Sequence, residues 1–310
     1  MTSLVSPQLA DQLSHIVGAS HLLLDEPLSK HTTFKIGGPA DALVLPTSIE
    51  QVHQIITACR ETQVPLRFMG LGSNILASDA GVRGVIVKFA ENFASVSVEG
   101  TRVVAQAGAS NEQVAKVAQA HSLAGYEFAS GIPGSIGGAA IMNAGAYDGE
   151  FSKVAVGLSC LTPEGELAQV TAEQAQWSYR HSMMMDKGYV VLEATLELTP
   201  DEKDDIQARM DDLRERRESK QPLEMPSAGS TFKRPEGYFA GKLIQDAGLK
   251  GYTVGGAQIS TKHSGFVVNT GKASAADVVQ LIHDVHDRIF EKEGVHMEPE
   301  VRMWGFEESR

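Results

Sequence analysis

The chain has 310 residues, 42% of them hydrophobic and 21% charged, which is typical of a folded globular protein and long enough for two or three domains. Its net charge of −12 argues against nucleic acid or an anionic membrane as the main partner, because their phosphates repel an acidic surface. No apolar run is long enough for a membrane span, no basic leader precedes an apolar block, and Cys59 and Cys160 lack the spacing of a metal site or a disulfide framework, so we expect a cytoplasmic protein.

The first part of the chain predicts a β-α-β unit. Residues 40–46 have the pattern of a strand, and Ser48 can cap a helix with an apolar stripe at helical spacing. The stripe consists of Val52, Ile55, Ile56 and Cys59. Residues 65–70 predict a second buried strand, which ends in the glycine turn "GLGSN" at residues 70–74.

The middle of the chain predicts more strands and one helix. Strands are expected at residues 84–89, on both sides of a turn at residues 99–100, at residues 155–161 and at residues 189–198. Ser110 and Gln113 have the pattern of a capping box, which predicts a helix that Gly125 closes. The apolar positions of this helix are Val114, Val117 and Ala118.

The pattern changes at Asp201. An acidic, Arg-rich helix is expected to run from there to about Lys220, where two prolines break it and mark a domain boundary. A helix at residues 238–247, a strand at residues 265–268 and a long helix from Ser274 are expected to follow. The apolar stripe of the long helix is Val278, Leu281, Ile282, Val285 and Ile289.

Residues 130–147, "SGIPGSIGGAAIMNAGAY", combine five glycines with almost no charge. Glycine weakens both helices and strands, so this clustering needs a reason. A surface turn is one interpretation. The isoleucines and the methionine within the run favour another, a backbone path that passes close to something flat or anionic.

Neither glycine loop has the pattern of a classical nucleotide-binding motif. In "GLGSN", Ile75 stands where a Rossmann fingerprint needs its third glycine, no helix pattern follows, and no glycine run precedes a P-loop lysine. Two such loops can still supply backbone N–H donors to a pyrophosphate. For "GLGSN" alone, a tight turn that closes a strand is an equally good interpretation.

Basic residues concentrate in one segment of this acidic chain. Residues 214–263 contain nine Lys or Arg and five Asp or Glu, whereas the rest of the chain contains 18 and 34. This contrast favours an anionic small molecule as a ligand. A solvated charged face is the alternative, and it explains residues 214–220 equally well.

Six short motifs occur in a fixed order along the chain. They are "HTTFKIGGPAD" (residues 31–41), "GLGSNIL" (70–76), the glycine run (130–147), "YRHS" (179–182), "AGSTFKRP" (228–235) and "EPEVRMWG" (298–305). Together they resemble the bacterial UDP-N-acetylenolpyruvoylglucosamine reductases, also called UDP-N-acetylmuramate dehydrogenases, which act early in peptidoglycan synthesis. Each motif alone is weak, but the six cover the chain from about residue 31 to residue 305.

The resemblance implies an α+β fold with three parts. Two subdomains, residues 1–80 and 81–200, would form an FAD-binding region of the vanillyl-alcohol-oxidase (PCMH) type, and residues 201–298 would form a smaller substrate-binding domain. The tail at residues 299–310 would pack back on the first subdomain. In such a fold the two glycine loops wrap the FAD pyrophosphate and pass beneath the flavin, where side chains would block the approach.

The resemblance also implies the reaction, in which an enolpyruvyl ether on a UDP-sugar is reduced to a lactyl ether. NADPH supplies a hydride that reaches the vinyl carbon C3 by way of N5 of FAD, and C2 receives a proton. Because negative charge develops on the substrate carboxylate, the site needs an anion stabiliser and an acid. The expected cofactors are FAD and NADPH, and the expected product is UDP-N-acetylmuramate.

Three residues match the catalytic positions of the family. Arg180 would hold the substrate carboxylate, Ser230 would donate the proton to C2, and Glu300 would help to stabilise the developing charge. Taken alone, these residues are equally typical of a surface ion pair, a turn or cap serine, and a strand carboxylate paired with an arginine such as Arg302. Glu298 is the neighbouring carboxylate that the motif does not favour.

The other implied site residues form two sets. The cofactor set is Gly70, Leu71, Gly72, Ser73, Asn74, Gly131, Pro133, Gly134, Ser135, Gly137, Gly138, Asn143 and Gly145. The substrate set is Tyr179, Lys220, Arg234, Lys250 and His263, in which the two lysines and Arg234 would contact the diphosphate. A solvated loop histidine is the alternative interpretation of His263.

Two other functions remain open. One is an FAD-linked oxidase of the same fold, and the other is a catalytically silent protein that binds FAD or a UDP-sugar. Few residues separate "YRHS" from the next strand, so the tyrosine loop that some members insert has no room, and the chain resembles the shorter subtype. We therefore expect residues 238–252 to close the pocket.

Overall fold

The computed structural model describes residues 3–306 of the chain. Its helices are α1 (Pro7–Val17), α2 (Ile49–Glu61), α3 (Asn111–Ala120), α4 (Ile136–Met142), α5 (Met183–Lys187), α6 (Lys203–Lys220), α7 (Ala240–Asp246) and α8 (Ala275–Glu293). None of these helices combines the length and the apolar character that crossing a lipid bilayer requires.

The strands form both parallel and antiparallel pairs. They are β1 (Leu22–Pro27), β2 (Pro39–Val44), β3 (Leu66–Met69), β4 (Ile75–Ala77), β5 (Val82–Lys88), β6 (Val96–Glu99), β7 (Arg102–Gln106), β8 (Leu123–Ala124), β9 (Gly145–Ala146), β10 (Gly149–Glu150), β11 (Ala155–Leu161), β12 (Leu167–Thr171), β13 (Val190–Glu197), β14 (Thr199–Pro200), β15 (Ser227–Ser230), β16 (Thr253–Val254), β17 (Ala257–Ile259), β18 (Phe266–Asn269) and β19 (Arg302–Trp304).

The first structural unit is a four-stranded sheet in the order β1-β2-β5-β3. β1 is antiparallel to β2, and both β2 and β3 run parallel to β5. Ser6 and Ser48 cap α1 and α2, each accepting a hydrogen bond from the backbone N–H three residues further on. The apolar faces of the two helices, which include Leu13 and Ile55, are buried against this sheet.

The second unit is a five-stranded antiparallel sheet in the order β12-β11-β13-β7-β6. α3 and α4 pack on it, and the core contains large side chains such as Tyr126 and Phe151. Ile206 and Met210, from the first half of α6, belong to the same core. This helix is therefore anchored on the second unit by its apolar positions.

The third unit is a four-stranded antiparallel sheet in the order β15-β18-β17-β16, covered by α8. Ser274 and Asp277 form a complete capping box at the start of α8, and Gly294 ends the helix in the left-handed region. Phe34 and Leu76, which precede this unit by more than 100 residues in the sequence, are buried in its core. The first and third units thus share a hydrophobic core.

The last strand returns the chain to the first unit. β19 pairs in parallel with β4, with Met303 opposite Leu76, and just before it Pro299 forms a bridge with Phe232 of the third unit. This is where the tail was expected to pack, although residues 307–310 lie outside the described range. The domain limits at residues 80, 200 and 298 stay predictions.

Most of the regular elements predicted from local patterns are confirmed, with one error at α3. The Ser110 hydroxyl accepts from the Gln113 backbone N–H, but the Gln113 amide donates to the Ala94 carbonyl, so the capping box is only half formed. The helix ends at Ala120, and Gly125 follows the short strand β8 instead of closing the helix. The Gln113 side chain finds an acceptor in the neighbouring loop, which removes it from the cap.

Helix α4 within the glycine run was not predicted. Gly137 and Gly138 lower its intrinsic helix propensity, and the pattern alone indicated an irregular path. Ile136, Ala139 and Ala140 are buried in the core of the second unit, and this tertiary packing outweighs the propensity.

Candidate active site

Arg180 lies in a tight turn. The backbone N–H groups of Ser178 and His181 each donate to the carbonyl of the other residue, at 3.1 and 3.2 Å, so residues 178–181 fold back on themselves. Arg180 has a φ of +56°, a left-handed conformation that few non-glycine residues adopt. Such conformations cost energy and cluster at functional sites, so this turn is a candidate for function.

Glu300 reaches the same place from the end of the chain. Its backbone N–H donates to the Thr231 carbonyl at 2.7 Å, and its carbonyl accepts from Nδ2 of Asn74 at 3.2 Å. One glutamate therefore contacts both the segment that follows Ser230 and the loop that contains "GLGSN".

Arg180 and Glu300 form a close ion pair. Nε of Arg180 donates to Oε1 of Glu300 at 2.6 Å, and the two side chains are 23% and 11% exposed. Burial raises the pKa of Glu300, and the positive charge of Arg180 opposes that rise. Within residues 3–306, the terminal nitrogens of Arg180 donate to no other group. The guanidinium is fixed along one edge and free to bind a second carboxylate along the other.

Ser230 is the last residue of β15 and directly precedes Thr231, whose carbonyl accepts from the Glu300 N–H. It is paired with Phe266 of β18, and its hydroxyl makes no hydrogen bond to any described residue. The preceding Gly229 has a φ of +75°, and a Cβ there would meet nothing within 4 Å. A hydroxyl with no protein acceptor, beside open space, suits donation of a proton to a bound ligand.

The first glycine loop, residues 70–74, offers backbone donors rather than charged side chains. None of its five N–H groups donates a hydrogen bond to another residue of the described chain. Gly72 has a φ of +66°, and a Cβ there would overlap the carbonyl oxygen of His31. Because only glycine fits this position, the loop can present several free N–H groups together, as anion-binding loops do.

The second glycine loop packs directly against the first. A Cβ on Gly70 would overlap the Ser135 hydroxyl, and one on Gly134 would lie 2.8 Å from the Ser73 hydroxyl. At these positions glycine is needed because one loop approaches the other. The close approach that the glycine run predicted is therefore, in part, an approach of protein to protein.

The remaining glycines of the run differ in their surroundings. A Cβ on Gly137 would lie 3.0 Å from Ala107, and one on Gly145 would lie 2.7 Å from the carbonyl oxygen of Gly149. A Cβ on Gly138 would meet nothing closer than 3.9 Å. Gly138 is the glycine of this run that leaves room for a ligand.

A cavity of about 490 Å³ lies between the first two units. Its walls are mostly apolar, and they include five residues of the two glycine loops, namely Gly70, Ser135, Gly137, Gly138 and Ile141. The Ser135 hydroxyl is buried without a hydrogen-bond partner among the described residues. Apolar walls that include Phe68 and Trp304, free N–H groups and an unpaired hydroxyl fit the flat rings and the anionic pyrophosphate of FAD. The contacts of all thirteen residues of the cofactor set with FAD stay predictions.

Arg217 is a site residue that the sequence did not single out. It lies on α6 and is 7% exposed, and no carboxylate in the described chain pairs with it. Its one side-chain hydrogen bond there is a 3.4 Å contact from Nη1 to Gln221, and burial lowers its pKa. Nε of Arg217 lies 2.9 Å from where a Cβ of Gly131 would stand. A buried, unpaired cation thus faces the second glycine loop, and such a charge is costly without an anion.

The helical periodicity of α6 places Arg217 on the buried face of this helix. Arg217 follows the buried residues Ile206 and Met210 along one face of α6, at a spacing of four and then seven residues. Its neighbours Arg214 and Arg216 are exposed and paired with aspartates on the same helix. The alternative interpretation of residues 214–220, a solvated charged face, is therefore correct for Arg214 and Arg216 but not for Arg217.

Tyr179 and Arg234 meet at a second cavity. The Tyr179 hydroxyl accepts from the Arg234 backbone N–H at 3.2 Å, and both residues line a space of about 410 Å³ beside Tyr238 and His296. The Arg180 guanidinium also stacks over the Tyr179 ring, 5.3 Å from its centroid. These contacts join the second cavity to the Arg180–Glu300 pair.

Within the described chain, no hydrogen bond or ion pair joins the other substrate residues to this cluster. Lys220 and Lys250 are exposed, and neither forms a hydrogen bond or ion pair with a described residue. His263 packs edge-on against Phe266 and accepts a hydrogen bond from the Gly265 N–H, and burial lowers its pKa. The substrate contacts of all three stay predictions.

The cysteines and the carboxylates suggest no further chemistry. Cys59 and Cys160 are buried in different cores, and burial raises the pKa of each thiol to about 12. Residues 3–306 hold no cluster of three or more His, Cys, Asp or Glu side chains suited to a metal ion.

Two family models match the chain. Residues 40–171 match the FAD binding domain, and residues 221–304 match the C-terminal domain of UDP-N-acetylenolpyruvoylglucosamine reductase. A UDP-N-acetylenolpyruvoylglucosamine reductase of Clostridium beijerinckii is 50% identical over 292 residues, which is 94% of this chain and 96% of the relative. The chain belongs to the UDP-N-acetylenolpyruvoylglucosamine reductase family.

Further comparisons agree with this family and with its fold. A UDP-N-acetylenolpyruvoylglucosamine reductase of Caldanaerobacter subterraneus is 46% identical over 297 residues, 96% of this chain and 98% of the relative. The crystal structure of the reductase from Thermus caldophilus has a TM-score of 0.78 at 33% identity and covers 91% of this chain and 98% of its own. The predicted α+β fold with an FAD-binding region and a reductase C-terminal domain is therefore confirmed.

A more distant likeness concerns the fold alone. The glucose dehydrogenase Phl p 4.0202 has a TM-score of 0.50 at 14% identity and covers 63% of this chain and 44% of its own.

Proposed function

We propose that this reductase uses FAD and NADPH to convert UDP-N-acetylglucosamine enolpyruvate to UDP-N-acetylmuramate in the cytoplasm, as a step of peptidoglycan synthesis. Family membership and the FAD binding domain support the reaction. The observation that carries the proposal is the state of Arg180. Glu300 holds its Nε at 2.6 Å, and its terminal nitrogens are free of partners within the described chain.

The free edge of Arg180 suits the carboxylate of the enolpyruvyl group. When hydride reaches C3, negative charge moves through C2 into that carboxylate, so the guanidinium binds the transition state more tightly than the substrate. One well-placed group of this kind is worth about 3–4 kcal/mol. Glu300 keeps the guanidinium in orientation through the Nε hydrogen bond.

Ser230 is the proposed donor of the proton to C2. Its hydroxyl has no protein acceptor among the described residues, and the carbonyl of the next residue, Thr231, accepts from the backbone N–H of Glu300. A serine hydroxyl is a weak acid, so it acts here because the enolate carbon is strongly basic.

The two glycine loops would hold the cofactor. The free N–H groups of residues 70–74 suit its pyrophosphate, and Gly138 and the Ser135 hydroxyl line the cavity where its flat rings would lie. Bound FAD supplies the transfer of hydride from NADPH to the substrate. Arg217 would neutralise an anionic group next to Gly131. We further propose that Tyr179, Lys220, Arg234 and Lys250 contact the UDP-sugar.

An anaerobic visible spectrum of the purified protein tests the proposal. We expect an oxidised flavin band that bleaches with NADPH and returns when the enolpyruvyl UDP-sugar is added. A band that bleaches and does not return with this sugar would contradict the substrate. Rapid return with oxygen alone would favour an oxidase, and no band after addition of FAD would contradict the role of the glycine loops.

A further inference from the structure

We infer that Asn143 is a positioning residue that holds the turn carrying Arg180 for reaction with the substrate. The inference rests on the proposed role of Arg180 in binding the substrate carboxylate. Asn143 ends α4 in the left-handed region, with a φ of +43°, and is 4% exposed. The family resemblance placed it among the FAD contacts, whereas its amide is directed at the arginine turn.

The amide of Asn143 links three segments of the chain. Nδ2 donates to the Ser178 carbonyl at 3.3 Å and to the Glu150 carboxylate at 3.5 Å, and Oδ1 accepts from the Ser152 N–H at 2.9 Å. Both hydrogens of the amide and its oxygen are thus used within the protein. The Ser178 carbonyl belongs to the turn itself, two residues before Arg180.

Two further side chains tie the flanks of the turn to the same helix. Trp177 Nε1 donates to the Ala140 carbonyl at 2.7 Å, and the Ser182 hydroxyl donates to the Ile141 carbonyl at 2.8 Å. Residues on both sides of the turn are therefore fixed to consecutive carbonyls of α4. Asn143, at the end of α4, adds a hydrogen bond to the turn itself, between these two flanks.

The turn needs such anchors because of its backbone. Arg180 is held at a φ of +56°, which an unsupported arginine rarely adopts, and its Nε must stay within reach of Glu300. A misplacement of about 1 Å in a catalytic group can lower a rate by about a hundredfold. Loss of the Asn143 donor should release the turn and leave the loop at residues 70–74 in place.

The test uses Asn143→Asp, because aspartate keeps the oxygen that accepts from Ser152, tolerates the left-handed region and lacks the donor to Ser178. Because aspartate also places a carboxylate beside Glu150, the effect that acts through Arg180 is isolated by a double-mutant cycle. Stopped-flow measurements on the holoenzyme separate reduction of FAD by NADPH from its reoxidation by the enolpyruvyl UDP-sugar. We expect reoxidation to slow by about tenfold or more and reduction to change by less than about twofold.

A double-mutant cycle with Arg180→Ala provides the decisive readout. If Asn143 acts through Arg180, then Asn143→Asp should slow reoxidation in wild type and have almost no further effect in the Arg180→Ala enzyme. Asn111→Asp is the matched control. Asn111 is another buried asparagine of the second unit, 2% exposed, and its Nδ2 donates to the carbonyl of Ile132 in the second glycine loop at 3.3 Å. Its effect on reoxidation should multiply with that of Arg180→Ala.

Three results would overturn the inference. They are equal slowing of both half-reactions by Asn143→Asp, full additivity with Arg180→Ala, and unchanged reoxidation. If Asn143→Asp does not retain FAD, two other variants are measured in its place. Asn143→Gly also accepts the left-handed region. Trp177→Phe removes the bond to Ala140 and keeps an aromatic ring beside Phe151. Unchanged reoxidation in Arg180→Ala itself would contradict the proposed function, so the two failures are distinguishable.

Discussion

The candidate site has two halves, which use different parts of the chain. The backbone half consists of the two glycine loops, and the catalytic, or side-chain, half consists of Arg180, Glu300 and Ser230. The glycine loops offer unpaired backbone N–H groups, and several of their glycines are fixed by contact with neighbouring protein atoms. The catalytic cluster instead depends on side chains, above all on an ion pair between Arg180 and Glu300, which are 120 residues apart. Added Cβ atoms at Gly70, Gly72 and Gly134 would overlap neighbouring protein atoms. The side-chain cluster depends instead on the long-range contacts that bring its members together.

The largest predicted effect belongs to the side-chain half. Ser230→Ala should lower turnover of the enolpyruvyl substrate by about a thousandfold, since a positioned proton donor contributes about 10²–10⁴-fold. It should leave FAD content and reduction by NADPH close to wild type, because the glycine loops are untouched. Both half-reactions can be followed by flavin absorbance.

Ser227→Ala is the matched control, since it makes the same change in the same strand, β15. Unchanged turnover in Ser230→Ala would remove Ser230 from the mechanism. Loss of FAD from this variant would instead show that the two halves of the site are not separable.

Gly72→Ala tests the backbone half. The Cβ would overlap the His31 carbonyl oxygen, and the φ of +66° adds strain, so we expect weaker FAD binding and a loss of stability of roughly 3 kcal/mol. Gly100 has nearly the same φ, +63°, but a Cβ there would meet nothing within 4 Å. Gly100→Ala should therefore lose only about 1–2 kcal/mol and keep FAD. If urea denaturation shows that both variants lose the same free energy of unfolding, backbone strain alone explains the effect at Gly72.

Arg217 differs from the rest of the cofactor site, since it is a charged side chain that lies against a glycine loop. Arg217→Met removes a buried unpaired charge, so we expect the apoprotein to be at least as stable as wild type and FAD affinity to fall about tenfold. Arg216→Met, at an exposed and paired arginine, should change neither property. If FAD affinity is unchanged and KM for the UDP-sugar rises, Arg217 belongs to the catalytic half.

The smallest predicted effect is a pH dependence at Glu300. Burial raises its pKa above the ordinary value of 4.5, so the folded protein keeps a proton that the unfolded chain has lost. The stabilisation from this proton is complete below the ordinary pKa and is lost as pH rises through the raised pKa. The difference in free energy of unfolding between wild type and Glu300→Gln should therefore fall from pH 4.5 upward, measured by urea denaturation of the apoproteins. A difference that rises with pH would show that the attraction of Arg180 outweighs burial.

Local signals were enough to predict the regular elements that are stabilised locally. Ser48 and Ser274 marked the predicted starts of α2 and α8, and the apolar stripes of both helices are buried as expected. α4 was missed because its glycines argue against a helix, and its packing in the core of the second unit could not be read from the run itself. The pairing of β19 with β4 was beyond local reasoning, because the two strands are more than 220 residues apart.

The candidate site shows the same limit. Family resemblance named Arg180, Ser230 and Glu300, but no spacing in the sequence predicted that Nε of Arg180 would meet Glu300. Arg217 was predictable in principle from its place on the buried face of α6. The burial of an arginine without a carboxylate is a tertiary property, and only the structure could reveal it.

β19, which pairs in parallel with β4, is close to the C-terminal end of the sequence and is therefore among the last parts of the chain to be synthesised. A ribosome delivers the glycine loops, Arg180 and Ser230 before it delivers Glu300, and domains generally fold in the order in which they emerge. Glu300, the partner of Arg180, lies two residues before the strand that pairs with β4. A nascent chain that ends before residue 300 therefore lacks both Glu300 and the Trp304 wall of the cofactor cavity, so both parts of the site are completed only when this strand has been made.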